Sequence, residues 1–393
     1  MLALLLACAP DPAVTSEDIA VLTDLSQPMD ECALPCVALS GPAGTVLSLT
    51  ADNVLLDSGT IGDDGLIDLC PDPGSVSAGA TLTIEQEGIA LVTAVPDIRP
   101  FGYAMGRERT WGAPDALEWQ EGWVLDAYPI FGSQPESWYH QAITSPQRSG
   151  DRLYFSGKPT DDAPYRLGMV ELDGESVVAP AEAPLLEPAS GDWDAAGQVS
   201  PTLIEGVDGE TLLLYQGLSE SAEVPVLGRA SSADGLTWIR PESGTYGDPI
   251  SNKISHPTAL LDESGVIELW HLTDVGLIGL SLSEDGGHTF TPSCVALPMR
   301  GKSPEVSRVG DRTIMTWATQ SDGEDIVRWA ESFDGIRWLE NSEPILQASD
   351  SSWTADGLSN AQLTWIDGAP RLLLVGVYGG QHTFGFARPE SEK

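Results

Sequence analysis

Five polar positions open five similar segments in the later part of the chain: His140-Gln141, Ser200-Pro201, His256-Pro257, Ser303-Pro304 and Asn360-Ala361. Each starts a β-like run. Two residues along a strand the same side comes round again, which adds Ala142, Thr202, Thr258, Glu305 and Gln362 to one face. Three carboxylates stand in or near these openings, Asp194, Glu305 and Asp356, together with Trp138, Trp193 and Trp353. The stretch Trp193-Asp194-Ala195-Ala196-Gly197 parallels Trp353-Thr354-Ala355-Asp356-Gly357. Carboxylate, amide and imidazole groups hydrogen-bond hydroxyls, and an indole presents a flat apolar face to a ring. The set suits a carbohydrate. Cleaving a glycosidic bond needs two carboxylates across it, one protonated and one ionised, and Asp194, Glu305 and Asp356 are the candidates. Ligand-binding candidates are Trp138, His140, Trp193, His256, Trp353 and Asn360. Each has a plainer alternative. Glu305 can form a structural ion pair with Lys302 or Arg308, and the two histidines can bond neighbouring elements.

What must position these residues is a repeated unit of strands. Second strands follow the openings: Leu153–Phe155, Leu212–Tyr215, Ile267–Trp270, Ile314–Trp317 and Leu372–Val375. Third strands are Leu167–Val170, Leu227–Ala230, Ile278–Ser281, Val327–Ala330 and Phe384–Ala387. Four of the third strands run into Asp-Gly turns, at Asp173, Asp234, Asp285 and Asp334. Glycine takes φ > 0 without cost there and Asp bonds its own backbone. The fifth segment lacks its turn and fourth strand. Asp115–Trp119 and Tyr128–Phe131 supply them from the other end, so a strand within 117–131 closes the last sheet. Five four-stranded units of about 50 residues predict an all-β, five-bladed β-propeller over residues 100–393. Six blades, using Phe101–Met105, is the alternative. Ligands of such a ring bind at the mouth of its central channel.

The turn Ser283–Phe290 (S-x-D-x-G-x-T-F) resembles the Asp-box of sialidases and related propellers. The blade count and the run Ala230–Trp238 resemble the five-bladed arabinanase–invertase type of glycosidase, over residues 100–393. The resemblance implies a glycosidase-like propeller, and it makes Asp234, Asp285 and Asp334 strand-connecting turn residues rather than catalysts. Such families carry acids at the starts of several inner strands. This sequence departs from them: its openings carry His, Ser, His, Ser and Asn, and Lys302-Ser303-Pro304 stands where an acid precedes a Gly-Pro-like step. Two functions stay open, a propeller that binds or hydrolyses carbohydrate and a non-catalytic binding or scaffold module at the cell surface. No cofactor is specified. Propellers can hold a Ca²⁺ in the channel, and no ligand set here defines one.

The chain of 393 residues carries a net charge of −40. Such a surface repels nucleic acid and anionic lipid, which are bound through cationic patches. It suits a neutral or cationic ligand or a saline habitat, or serves solubility alone. The start, Met1–Cys8, resembles a bacterial lipobox with Cys8 as the lipidated residue, though no basic region precedes it. The expectation is an exported, envelope-anchored monomer that meets the membrane through its lipid only. An acidic linker (9–30) and a small Ig-like or transthyretin-like β-sandwich (31–97) would precede the propeller. In an oxidising compartment a bridge from Cys32 or Cys36 to Cys70 is open. The cysteine spacing does not fit zinc.

Overall fold

The computed structural model describes residues 20–21, 29–30, 37–69, 81–99 and 122–390, apart from 53, 63, 87–88, 95–97, 180, 188–192, 208, 220–224, 241–253, 274–276, 292–293, 301, 322, 333–334, 336–337 and 342. Cys8, Cys32, Cys36, Cys70, Phe101–Met105 and Asp115–Trp119 lie outside them. The chain divides into two compact units, Met1–Arg109 and Thr110–Lys393. Among the described residues regular structure is β apart from short 3-10 turns, and no helix is long and apolar enough to cross a membrane.

Among its described residues the first unit has three small sheets: a parallel pair of Met29–Asp30 with Ile98–Arg99, and two antiparallel sheets that share one core. Val37–Ser40 lies between Ala20–Val21 and Leu66–Leu69, while Val46–Ala51 and Leu82–Gln86 are flanked by Val54–Thr60 and Ile89–Ala94. Alternation sends Val37, Leu39, Leu47, Leu49, Leu82 and Ile84 inward, where all are buried together, as a half-buried strand requires.

Among its described residues the second unit contains five antiparallel sheets. Their inner strands are Ala142–Ser149, Gly197–Val207, Ser255–Leu261, Lys302–Val309 and Gly357–Ile366. Each packs on the next, and the fifth packs on the first, so the ring is closed with five blades. The outer strands of blade five come from earlier in the chain. Trp123–Leu125 and Phe131–Gly132 both pair antiparallel with Gln381–Pro389, which leaves no open edge between first and last blades. Asp126 next to this strand receives two bonds from Arg388, at 2.6 and 2.7 Å. Glu175, on the turn of blade one, receives bonds from Arg371 and Arg388 at 2.7 and 3.3 Å. The closing strands and the first blade are thus clasped at one seam.

The environment of the second strands explains why they read as unbroken apolar runs. Leu212, Leu213, Leu214 and Tyr215 are all buried, because a blade is covered on both faces by its neighbours. Separate apolar clusters fill the interfaces between blades one and two, two and three, four and five, and five and one.

The Asp-Gly turns lie at the far end of the blades from the openings. Asp234 Oδ1 accepts bonds from the N–H groups of Leu236 and Thr237 at 2.8 and 2.7 Å. Asp285 Oδ1 accepts from His288 and Thr289 at 2.9 and 2.8 Å. The turn carbonyls then accept bonds from the preceding blade: Tyr154 Oη–H donates to Gly235 O at 3.2 Å, Arg229 Nε to Gly286 O at 3.3 Å, and Trp270 Nε1 to Gly335 O at 3.0 Å. The turns staple blade to blade.

Candidate functional site

Each inner strand is interrupted at the same place. Ser145, Ser200, His256, Ser303 and Asn360 have φ of 52°, 52°, 50°, 50° and 49°. The strand register shifts at each of these residues. A residue other than Gly in this left-handed region is strained by about 1–2 kcal/mol. Four of the five precede proline, whose missing N–H matches a broken ladder. The bulge turns the strand so that two successive rings of side chains meet around the channel. The first ring is the left-handed residues. The second is Gln147, Thr202, Thr258, Glu305 and Gln362, two positions on.

Contacts across blades tie the rings together. Ser145 Oγ lies 3.5 Å from Ser200 Oγ. Thr202 Oγ1 accepts from Ala259 N and Thr258 Oγ1 from Val306 N, both at 3.2 Å. Gln362 uses both ends of its amide on one residue, accepting from Arg148 N at 2.7 Å and donating to Arg148 O at 3.2 Å. Glu305 takes a bond from Thr258 Oγ1 at 3.5 Å and one from the Asn360 side chain. It is 8 % exposed. Burial pushes its carboxyl up to about 8, against the opposing pull of the Asn360 and Thr258 bonds. Burial also lowers the His256 imidazole, so both groups are neutral at pH 7. The ion-pair alternative for Glu305 does not hold: Arg308 is bound to Glu268 at 3.0 Å, and Lys302 is exposed.

From the sequence-derived set the structure brings Glu305 and Asn360 into contact, sets His256 on the adjoining inner strand two residues before Thr258, and places the others elsewhere. Blade one opens at Ser145-Pro146, not at His140-Gln141. His140 is exposed on the preceding turn with Nδ1 3.1 Å from Ser137 O. Gln147 therefore occupies the ring position assigned to Ala142. The Ser-Pro pair at 145–146 carried the same signal as three of the other openings.

The tryptophans are structural pegs. A Cβ on Gly168 would lie 2.8 Å from Trp138 Cη2, one on Gly228 2.6 Å from Trp193 Cη2, and one on Gly385 2.6 Å from Trp353 Cη2. Each indole fills the space over two glycines on the middle strands of its own blade. The pairs are Gly157 and Gly168, Gly217 and Gly228, and Gly376 and Gly385. Trp138 stacks on Phe155 at 5.8 Å and Trp193 on Tyr215 at 5.7 Å. Trp138 Nε1 donates to Ala181 O and Trp353 Nε1 to Asp126 O.

Asp194 follows its peg into the blade. It is fully buried and accepts bonds from Arg240 Nη2 at 2.8 Å, Gln198 Nε2 at 2.9 Å and Tyr215 Oη at 3.0 Å. All three bonds converge on Oδ2 and tie the carboxylate into the blade as a buried ion pair with Arg240. Asp356 is exposed and accepts from Gly379 N at 2.6 Å, holding a hairpin turn. Among the described residues no three His, Cys, Asp or Glu side chains are grouped to hold a metal ion.

No family model matches the chain, and no curated protein matches it in sequence. Solved structures do match in shape. The catalytic domain of a Coprinopsis cinerea GH62 alpha-L-arabinofuranosidase superposes with a TM-score of 0.56 at 16% identity, covering 70% of this chain and 99% of that one. A putative glycoside hydrolase from Parabacteroides distasonis gives 0.54 at 12% identity over 68% and 96% of the two chains. A complex of BT0996 with RGII gives 0.51 at 16% identity over 67% and 92%. At such identities the likeness is one of fold: the second unit of this chain has the propeller architecture found among glycoside hydrolases.

Proposed function

We propose that the propeller is a carbohydrate-binding module whose channel mouth recognises sugar hydroxyls without hydrolysing the glycan. The observation that carries this is the chemistry of the two rings. Hydroxyl, imidazole and amide groups surround a single described carboxyl, Glu305, that is neutral at pH 7. Glycoside hydrolysis needs a second, ionised carboxylate, and Asp194 and Asp356 are engaged elsewhere. Support for sugar as the ligand class comes from the shape neighbours, two of which are named as glycoside-cleaving proteins. A glycan array probed with the whole protein, followed by a reducing-sugar assay on the bound glycans, tests the reading. Binding without release is expected. Sustained release of reducing sugar would replace it by the hydrolase reading, with Glu305 as the acid.

Export and anchoring through Cys8 belong to the same proposal and would hold the module at the cell envelope. Radiolabelled palmitate incorporated in a bacterial host, and lost in Cys8→Ser, would support the anchor. No label in either protein would remove it.

A further inference from the structure

We propose that Glu305 and His256 are the specificity-determining pair of the channel, and that together they select an uncharged, hydroxyl-bearing sugar over an acidic one. The proposal rests on the channel being the binding site. It starts from an asymmetry in the rings. On the side of blades five, one and two the polar groups serve one another: Gln362 is used at both ends by Arg148, and Ser145 meets Ser200. On the side of blades three and four, His256 Nδ1 is buried with no hydrogen-bond partner among the described residues. Its own backbone is held, with His256 N donating to Gln216 Oε1 at 3.1 Å. The backbone that carries the ring is thus held, while Nδ1 is left without a partner. A buried polar atom without a partner costs about 1–3 kcal/mol, and a ligand hydroxyl that reaches it would recover that cost.

Glu305, on the inner strand of the next blade, touches Thr258 two residues along the strand that carries His256. Among the described residues no cation offsets its charge. On its own strand Lys302 is exposed and Arg308 is committed to Glu268 at 3.0 Å. On the adjacent strand of blade four, Arg312 is committed to Glu331 at 2.8 Å. The inner strand of blade three brings His256, and that of blade five brings the uncharged Asn360 and Gln362. With its proton on, the carboxyl donates one hydrogen bond and still accepts. The neutral imidazole adds one donor or acceptor at Nδ1, set by its tautomer. A sugar hydroxyl, both donor and acceptor, can satisfy both groups. A ligand carboxylate would be buried without a cation, which is strongly unfavourable.

The test uses the whole protein and an array printed with β-mannan, xylan and arabinan oligomers beside polymannuronate and polygalacturonate oligomers. Binding to neutral oligomers only is expected. The affinity for the neutral oligomer that binds most tightly should weaken about tenfold between pH 7 and 9, as Glu305 ionises through about 8. Glu305→Gln, which cannot ionise, should abolish that dependence. His256→Asn places at this position the residue already present at the equivalent site, Asn360, so the left-handed backbone is retained, and about tenfold weaker binding is expected. Equal binding of uronate oligomers overturns the inference, as does a flat pH profile in the wild type or one that persists in Glu305→Gln. If no oligomer of either kind binds, the carbohydrate reading itself falls. If neutral oligomers bind without pH dependence, only the inference does.

Discussion

Blades one, two and five differ from blades three and four in how they are held. In the first group a tryptophan from the loop before the inner strand sits over a diagonal pair of glycines. The second group lacks the residues for such a peg. At the two glycine positions blade three has Thr273 and Gly279, and blade four has Thr319 and Arg328, as the strand registers show. No tryptophan stands in the segments before those inner strands, 241–253 and 291–301. Yet His256 and Glu305, the groups with free or unusual chemistry, belong to the unpegged blades. The pegs fill the packing space of their own blades, though buried polar atoms without a partner occur there too, Ser156 Oγ and Gln198 Oε1 among them. The other side keeps a buried neutral acid and an unpartnered imidazole nitrogen, both of which weaken the fold in the absence of a ligand. Under the proposed reading, recognition falls to the blades that lack a peg.

The largest test of that division is at equivalent positions on third strands. Gly385→Val would drive a side chain into Trp353, 2.6 Å away at its first atom. A loss of at least about 3 kcal/mol is expected, in line with overpacked cores. Trp353→Ala should cost about 3–5 kcal/mol by leaving the space empty. Arg328→Ala, the matching position in blade four, should cost under about 1 kcal/mol, since its pair with Glu340 at 3.5 Å is partly solvated. Urea unfolding gives all three values. Similar losses at Gly385 and Arg328 would mean that the pegs do not distinguish the blades.

A smaller effect, with the opposite sign, is expected at Glu305. Its folded carboxyl is raised from 4.5 to about 8, so the folded state holds a proton that the unfolded chain releases. Folding is therefore unpenalised below about pH 4.5 and loses stability as pH rises towards 8. Glu305→Gln should leave stability unchanged at pH 4 and raise it by about 3 kcal/mol at pH 7. Denaturant midpoints of both proteins across this range measure it. A variant less stable than wild type at pH 7 would show that the carboxyl supports the fold rather than being strained by it.

The sequence made the ring legible because its signals are local. Asp-Gly turns, apolar second strands and polar-proline openings follow from backbone needs that repeat in every blade. Ser145-Pro146 followed the same rule, and was obscured by the His140 nearby. The site was less legible because residue type alone does not say which way a side chain turns. Trp193-Asp194 and Trp353 read as sugar-stacking residues beside acids. What revealed them as pegs was the pair of glycines on the middle strands of blades one, two and five, a pattern visible only once the register is known. The ionisation state of Glu305 was hidden for the same reason. It depends on burial between neighbouring blades, which outweighs the bonds from Asn360 and Thr258.

The smallest effect concerns a device that blades three and four share with blade two, the Asp-Gly turn. Asp285 Oδ1 and Oδ2 receive bonds from the Ser283 and Thr289 hydroxyls at 2.8 and 2.6 Å, in addition to two backbone N–H groups. Desolvation raises its pKa, and these bonds outweigh that and bring it down to about 2. The folded value lies below the unfolded one, so the turn's contribution is full above about pH 4 and vanishes as pH falls through 2. The group is largely exposed, which limits the gain to about 1 kcal/mol. Asp285→Asn should therefore lower stability by about that amount at pH 6 and by nothing measurable at pH 2. Because the turns of blades two and three are built alike, the loss should be of the same size whether or not a blade carries a peg. A markedly larger loss in blade three than in blade two would mean that the unpegged blades lean on their turns, and that the two devices compensate for one another.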